Sequence, residues 1–202
     1  MKNKIAILGS TGSIGKSLLK ILEKNKQNVQ ITLLTANKNY NLLLRQAKKF
    51  KVNNLIIKDQ RSYLKLKKKL KNSKINIHND YKIFSKIFSK KIDYAMSSIV
   101  GLEGLEPTIQ IIKHTKKIAI ANKESLICGW NLISAEIKKN QTKFIPVDSE
   151  HFSLWFGAQY NFKNIDKIIL TASGGPFINL PLKKFKNINL NQALKHPNWK
   201  MG

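Results

Sequence analysis

The sequence predicts an α/β fold in which helices cover both faces of a mostly parallel sheet. Short apolar runs alternate with amphipathic stretches of helical period along most of the chain, and this alternation is typical of a parallel sheet with crossover helices. A glycine-rich loop at residues 9–15 joins the first strand-like run to the first helical stretch, as in Rossmann-like folds. A chain of 202 residues that is 42% hydrophobic can form one domain or one and a half.

The individual elements follow from the period of the apolar residues. The first strand is the apolar run that ends at Gly9, and the first helix is marked by Leu18, Leu19 and Leu22. In chain order, the predicted strands are residues 4–8, 30–35, 54–57, 75–77, 93–96, 117–121, 143–147 and 167–171. The predicted helices are residues 14–25, 40–50, 60–71, 80–89, 104–114, 123–139 and 150–160. After Ser173, glycines and prolines interrupt the pattern, which predicts a loop.

The chain is strongly basic, with a formal net charge of +26 and a pI near 10.2. Such a charge is typical of proteins that bind nucleic acid or anionic membranes. The lysines are scattered, however, and their densest run, residues 65–71, carries leucines at helical spacing and indicates a solvated helix face. We therefore expect no nucleic-acid partner.

No segment indicates export or a membrane partner. The apolar residues after Lys4 form too short a run for a signal peptide, and no run approaches the roughly 18 apolar residues of a membrane span. The single cysteine excludes an intramolecular disulfide, which is consistent with a reducing compartment. We expect a cytoplasmic protein with no membrane partner.

The loop at residues 9–15 has the spacing G-x-x-G-x-x-G. In a strand, loop, helix context, Gly9 would make the tight turn, Gly12 would let the backbone approach a pyrophosphate, and Gly15 would let the helix pack on the strand. Backbone amides at the helix start and the hydroxyls of Ser10, Thr11 and Ser13 would receive the phosphates. The loop therefore predicts a bound dinucleotide, and the alternative is a simple glycine turn.

The end of the second predicted strand indicates which dinucleotide binds. NAD enzymes place an acidic residue there for the ribose hydroxyl, whereas NADP enzymes supply a cation for the 2′-phosphate. The segment Thr35-Ala36-Asn37-Lys38-Asn39 has no acidic residue, and Lys38 is available. NADP is favoured, although one lysine in so basic a chain can be incidental.

Asp148 and Glu150 follow the apolar run at residues 144–147 in a chain with only 11 acidic residues. If that run is a strand, its period of two places both carboxylates on one side at the carboxyl end, where α/β proteins build their sites. Hard cations such as Mg²⁺ are usually held by one or two carboxylates with oxygens of a phosphorylated substrate. Alternatively, Ser149 caps a helix and Glu150 is favoured by its dipole.

A second polar cluster, Asn122-Lys123-Glu124-Ser125, follows another predicted strand and opens a helix. Asn122 and Glu124 could hold the nicotinamide end of the cofactor while Lys123 contacts a substrate. The alternative is an N-capped helix with ordinary surface charges.

Five segments occur in an order seen in one enzyme family: residues 9–15, 122–125, 148–151, 173–177 and 196–202. With them the chain resembles the amino-terminal half of 1-deoxy-D-xylulose 5-phosphate reductoisomerase over all 202 residues. The resemblance implies an NADPH- and divalent-metal-dependent enzyme of non-mevalonate isoprenoid biosynthesis. Such an enzyme rearranges and reduces 1-deoxy-D-xylulose 5-phosphate to 2-C-methyl-D-erythritol 4-phosphate. The resemblance also favours the metal interpretation of Asp148 and Glu150.

The resemblance implies roles for individual residues. NADPH would be contacted by Thr11, Gly12, Ser13, Ile14, Asn37, Lys38, Asn39, Asn122, Glu124 and Gly202. The phosphorylated substrate would be contacted by Lys123, Ser149, Glu150, Ser173, His196 and Trp199. Lys123 and Glu150 would be catalytic, and Asp148 and Glu150 would hold Mg²⁺, Mn²⁺ or Co²⁺. Trp199 would belong to a closing loop, or alternatively to a static core.

The resemblance also implies a domain division. Residues 1–147 would form the NADPH-binding domain and residues 148–202 part of the metal- and substrate-binding domain, while the family's carboxyl-terminal helical domain has no counterpart in the sequence. The resemblance implies that the rest of the catalytic domain, which precedes the helical domain in the family, brings a third carboxylate for the metal and further substrate contacts. We therefore expect the chain alone to be weakly active or inactive, and the complete protein to be a homodimer.

Three alternatives remain at this point. The chain could be a truncated remnant or a split half that acts only as an NADPH-binding module. It could be another NADP-linked oxidoreductase without a metal requirement. It could also be a basic nucleic-acid binder, whose DNA affinity would depend steeply on salt and would not respond to NADPH.

Overall fold

The computed structural model describes residues 2–158, 165–169, 174–195 and 197. Within these ranges a seven-stranded sheet forms the centre of the fold, and every strand pair in it is parallel. Its strands are β1 Asn3–Leu8, β2 Val29–Ala36, β3 Asn54–Ile57, β4 Asn76–His78, β5 Tyr94–Ser97, β6 Lys117–Ile120 and β7 Lys143–Pro146. The α/β class and its Rossmann-like parallel sheet are therefore confirmed.

The strands lie in the order β4-β3-β2-β1-β5-β6-β7. The order reverses between β1 and β5, which is the switch point where open α/β sheets bind ligands beyond the carboxyl ends of the strands. The helices are α1 Ser13–Glu23, α2 Tyr40–Phe50, α3 Gln60–Lys69, α4 Phe84–Ile87, α5 Leu105–Ile112, α6 Lys123–Asn140, α7 Ser149–Ala158 and α8 Leu190–Ala193.

Alternate residues of each strand are buried on opposite faces of the sheet, as the strand period requires. Ile5 and Ile7 of β1 pack with residues of α1, α2 and α3 on one face. Ala6 and Leu8 of the same strand pack with residues of α4, α5 and α6 on the other. Because both faces are covered, the strands are apolar at consecutive positions, which is typical of parallel sheets.

Three expected elements differ from the structure. The helix expected at residues 80–89 is a 3₁₀ turn, Tyr81–Ile83, followed by the short α4, because Asp80 caps the turn and Phe84 and Phe88 must both reach the core. The strand expected at 167–171 is absent over the described residues 165–169, where Ile168 and Ile169 are exposed and pair with no described strand. The loop expected after Ser173 contains 3₁₀ turns and α8.

The chain separates into two compact units, Met1–Tyr160 and Asn161–Gly202. Helix α7 therefore belongs to the first unit, where it packs near β7. The division expected after Val147 stays a prediction for the complete fold. None of the described helices is both long enough and apolar enough to span a bilayer.

Candidate functional site

The carboxyl edge of the sheet carries most of the predicted site residues. The glycine loop follows β1, Asn37, Lys38 and Asn39 follow β2, and Asn122 follows β6. Asp148 follows β7 at the same edge. Since neighbouring strands lie about 4.8 Å apart, the end of β7 is roughly 15 Å from the end of β1.

The glycine loop is folded tightly against its neighbours. Gly9 has a φ of 82°, and a Cβ on it would lie 2.7 Å from the carbonyl oxygen of Ser98. A Cβ on Gly15 would overlap the carbonyl oxygen of Gly9. At Gly12, by contrast, the nearest atom to such a Cβ is the Gly9 oxygen at 3.4 Å. A Cβ at Gly12 would thus make only ordinary contacts, unlike one at Gly9 or Gly15.

A buried hydrogen-bond network holds this loop in place. Ser10 Oγ donates to Gln46 Oε1 at 2.8 Å, and Gln46 Nε2 donates to the Ser10 carbonyl oxygen at 2.9 Å. The amide of Gly9 donates to Thr35 Oγ1 at 2.9 Å. The expectation that the Ser10 hydroxyl receives a phosphate is wrong, because that side chain is fully buried and engaged with α2.

Gln46 was missed by the sequence analysis. It is a polar residue next to Ala47 and three positions after Leu43, and all three are buried on α2. A polar side chain within an apolar helical stripe is the signal that could have revealed it, since a buried polar group needs a partner.

A cavity of about 310 Å³ opens beside the glycine loop. It is lined by Gly9, Thr11, Gly12, Thr35, Ala36, Asn37, Lys58, Tyr81, Ser98, Ile99, Val100, Glu103 and Glu106. The cavity therefore lies at the switch point, between the ends of β1, β2 and β5. A larger cavity of about 540 Å³ lies at the opposite, amino-terminal edge and contains no predicted site residue, so the smaller one is the candidate cofactor site.

Among the predicted cofactor residues, Thr11, Gly12 and Asn37 line this cavity. Ser13 and Ile14 are exposed at the start of α1. Lys38 and Asn39 are exposed after β2, and the Asn39 side chain caps α2 by accepting a hydrogen bond from the Leu42 amide at 3.1 Å.

Asn122 is buried, and its side chain bonds within the protein. Its Nδ2 donates to the carbonyl oxygens of Ile99 and Gly101, and its Oδ1 accepts from the Ser125 amide at 2.9 Å. The capped-helix interpretation is thus confirmed for the start of α6. Lys123 and Glu124 are exposed in the first turn of that helix. The cofactor contact of Asn122 stays a prediction.

Asp148 and Glu150 are brought together by the start of α7. Strand β7 ends at Pro146 and the helix begins at Ser149, so the expected strand period across the two carboxylates is wrong. Asp148 Oδ1 lies 2.8 Å from His151 Nδ1, and Ser149 Oγ donates to Glu150 Oε2 at 2.7 Å. The side-chain hydrogen bond of His151 lowers the pKa of Asp148, burial opposes the shift, and a hydrogen bond with Glu150 lowers it further.

This donor set suits a hard divalent cation in part. Two carboxylates that share a helix start, one of them partly buried, are typical of Mg²⁺ sites completed by water and substrate oxygens. Within the described residues, no group of three or more His, Cys, Asp or Glu is arranged to hold a metal ion. The remaining predicted site residues, Ser173, His196, Trp199 and Gly202, lie outside the described residues.

Comparisons with known proteins point to one enzyme family. The family model for 1-deoxy-D-xylulose 5-phosphate reductoisomerase matches residues 5–129, and the model for its C-terminal domain matches residues 144–202. The protein of that name from Pelagibacter ubique is 58% identical over 98% of this chain, and one from Wolbachia pipientis is 43% identical over 98%. The chain spans about half the length of these curated relatives, 52% and 51%.

Solved structures match as well. The reductoisomerase from Zymomonas mobilis in complex with NADPH superposes with a TM-score of 0.86 at 33% identity, covering 98% of this chain and 52% of that one. A reductoisomerase in complex with NADPH, fosmidomycin and magnesium gives a TM-score of 0.78 at 30% identity, with 99% and 52% covered. From its motifs, its fold and these matches, the chain belongs to the 1-deoxy-D-xylulose 5-phosphate reductoisomerase family.

Proposed function

We propose that this chain is the NADPH-binding half of a 1-deoxy-D-xylulose 5-phosphate reductoisomerase. In that activity the substrate is rearranged and reduced to 2-C-methyl-D-erythritol 4-phosphate, in non-mevalonate isoprenoid biosynthesis. The observation that carries the proposal is the cavity at the switch point, where Thr11 and Gly12 face the ends of β2 and β5. A family member of closely similar fold was solved with NADPH.

NADPH would lie across the carboxyl edge of the sheet. The backbone around Thr11 and Gly12 would receive its pyrophosphate, since amides at a helix start favour anions. Asn37, Lys38 and Asn39 would face the adenosine 2′-phosphate, and Ser13 and Ile14 would complete the phosphate contacts. Asn122, Glu124 and Gly202 would serve the nicotinamide end.

Asp148 and Glu150 would hold Mg²⁺, Mn²⁺ or Co²⁺. When bound, such a cation supplies a Lewis acid that polarises neighbouring substrate oxygens. Lys123, exposed at the start of α6, would add a positive charge beside those oxygens. Ser149 would contact the substrate with Glu150, while Ser173, His196 and Trp199 would bind and enclose its phosphorylated end, which supplies remote binding energy for positioning.

The chain by itself would bind NADPH and turn over substrate poorly. Its curated relatives are about twice as long, and the further half of the family would bring the remaining metal and substrate contacts. The alternative is a truncated remnant or a split half that acts only as an NADPH-binding module. We also propose that the complete protein is a cytoplasmic homodimer with no nucleic-acid or membrane partner.

Two measurements test the proposal. In the first, NADPH is titrated against the purified chain, and Mn²⁺ binding is followed by electron paramagnetic resonance. We expect the wild type to bind both, and Asp148→Asn and Glu150→Gln to lose Mn²⁺ while keeping NADPH. Asp80→Asn, which alters a helix-capping carboxylate elsewhere on the surface, is the matched control. Absence of NADPH binding to the wild type would refute the proposal.

In the second measurement, oxidation of NADPH with 1-deoxy-D-xylulose 5-phosphate is compared for the chain alone and with the second half of the Pelagibacter ubique relative added as a separate polypeptide. Restored turnover in the mixture would support the split-half alternative. Rapid turnover by the chain alone would contradict the expectation of a weak catalyst.

A further inference from the structure

Lys58 lies at the cofactor cavity although no motif drew attention to it. It follows β3, and its backbone amide donates to the carbonyl oxygen of Ala36 at the end of β2, at 3.1 Å. The next amide, of Asp59, donates to the carbonyl oxygen of Asn37 at the same distance. The backbone of Lys58 is thereby fixed beside the segment that would face the adenosine 2′-phosphate.

The side chain of Lys58 is directed over an aromatic ring. Its Nζ lies 5.2 Å from the ring centroid of Tyr81, within the range of a cation–π contact. Tyr81 is buried and packs against Phe84, with ring centroids 5.8 Å apart. Burial raises the pKa of Tyr81 to about 12, so the ring stays neutral at physiological pH. A fixed ring thus holds the ammonium group at the cavity wall.

Lys58 offsets part of the negative charge of the cavity lining. Among the described residues that line the cavity, Lys58 is the one cation, while Glu103 and Glu106 contribute two carboxylates. NADPH carries a pyrophosphate and a 2′-phosphate, so a lining with two uncompensated carboxylates would repel it. Lys38 and Lys58 are both exposed, but Lys38 does not line the cavity.

We propose that Lys58, held over the ring of Tyr81, contacts the 2′-phosphate of NADPH and sets the preference of this chain for NADPH over NADH. The inference rests on the proposed NADPH-binding function and names a specificity residue just after β3, in addition to the expected Lys38 after β2. A lysine contacts phosphate as a compact charge with three donors, and such charge-assisted hydrogen bonds are stronger than neutral ones.

The test compares two fragments of the cofactors, 2′,5′-ADP and 5′-AMP, by calorimetric titration of the wild type and Lys58→Gln. We expect the substitution to lower the affinity for 2′,5′-ADP about tenfold, which corresponds to the loss of roughly one charge-assisted hydrogen bond. The affinity for 5′-AMP should change by less than about twofold, and Lys58→Arg should restore most of the 2′,5′-ADP affinity.

Lys67→Gln is the matched control, because Lys67 lies over the ring of Tyr63 at 5.8 Å on α3 and does not line the cavity. It should leave both affinities unchanged. Equal weakening of both fragments by Lys58→Gln, or no weakening of either, would overturn the role of Lys58 while leaving NADPH binding intact. Failure of the wild type to bind NADPH or 2′,5′-ADP would instead overturn the proposed function, and this inference with it.

Discussion

Ser10 and Gln46 form a reciprocal pair of hydrogen bonds that joins the glycine loop to α2. The Ser10 hydroxyl donates to Gln46 Oε1, and Gln46 Nε2 returns a bond to the Ser10 carbonyl oxygen. Both side chains are buried, so neither group has water as a substitute partner. The position of the glycine loop therefore depends on a helix more than thirty residues away in sequence.

Replacing Gln46 by Leu should destabilise the chain and loosen the loop. The Ser10 carbonyl oxygen would lose its donor, Gln46 Nε2, in a buried site, which costs about 1–3 kcal/mol. The Ser10 hydroxyl would keep its longer hydrogen bond to the Thr35 carbonyl oxygen, at 3.2 Å. We expect a lower midpoint in urea unfolding and weaker NADPH binding. Gln60→Leu, at an exposed helix start, should change the free energy of unfolding by less than about 0.5 kcal/mol. Equal stability of the two variants would contradict a structural role for Gln46.

Gly12 and Gly15 should differ sharply when each is replaced by Ala. At Gly12 the new Cβ would make ordinary contacts, the nearest at 3.4 Å, so the melting temperature should change by less than about 2 °C. The methyl group would nevertheless occupy the phosphate cradle and weaken NADPH binding. At Gly15 the methyl group would overlap the backbone of Gly9 and Ser10, and the fold itself should fail. Thermal melts and NADPH titrations distinguish the two effects. Undiminished NADPH affinity of Gly12→Ala would exclude the cradle.

Asn122→Asp should destabilise the fold, because the Asn122 side chain bonds to two backbone carbonyl oxygens. The change keeps the oxygen that caps α6 but replaces the amide donor to Ile99 and Gly101 with an acceptor. Carbonyl and carboxylate oxygens would then face each other in a buried site, at a cost of at least about 2 kcal/mol. Asn39→Asp, at an exposed cap, should be nearly neutral because Asp caps as well as Asn. Unfolding in urea measures the stability of both variants. Normal stability of Asn122→Asp would show that the hydrogen bonds from Asn122 to Ile99 and Gly101 contribute little.

His114 should make the fold lose stability as the pH falls below about 6.5. The centroid of its ring lies 6.4 Å from that of Phe84 and 5.9 Å from that of Phe88. Burial lowers the pKa of His114, and the charges of Lys113 and Lys91 lower it further. A folded-state pKa below the unfolded value of about 6.5 means that the neutral ring stabilises the fold above that pH. This contribution is lost as the pH falls through the folded pKa.

Urea unfolding at several pH values measures this effect in the wild type and in His114→Phe, which keeps an aromatic ring without a titrating group. The variant should lose less stability on acidification. Burial also lowers the pKa of His78, so both proteins should be compared in a His78→Gln background. An identical pH dependence in the two proteins would exclude His114 as its source.

Much of this architecture is already encoded locally in the sequence. The apolar runs that became β1, β3 and β6 are recognisable because both faces of a parallel sheet are buried. The spacing of the glycines alone predicted the glycine loop. Asn37, Asn122 and Asp148 each follow a predicted strand. Because the carboxyl ends of parallel strands meet at one edge of the sheet, these residues were expected at that edge.

Tertiary structure alone decided the remaining relationships. The strand order placed β1 beside β5, although residues 9–93 separate them in sequence. The tertiary structure also places Ser10 beside Gln46. It places the side chain of Lys58, which follows β3, over the ring of Tyr81, which follows β4. Local periodicity reports which side of an element faces a core, but it carries no information about which distant element lies opposite. That partner is selected by strand pairing and by the packing of whole faces, which depend on the complete chain.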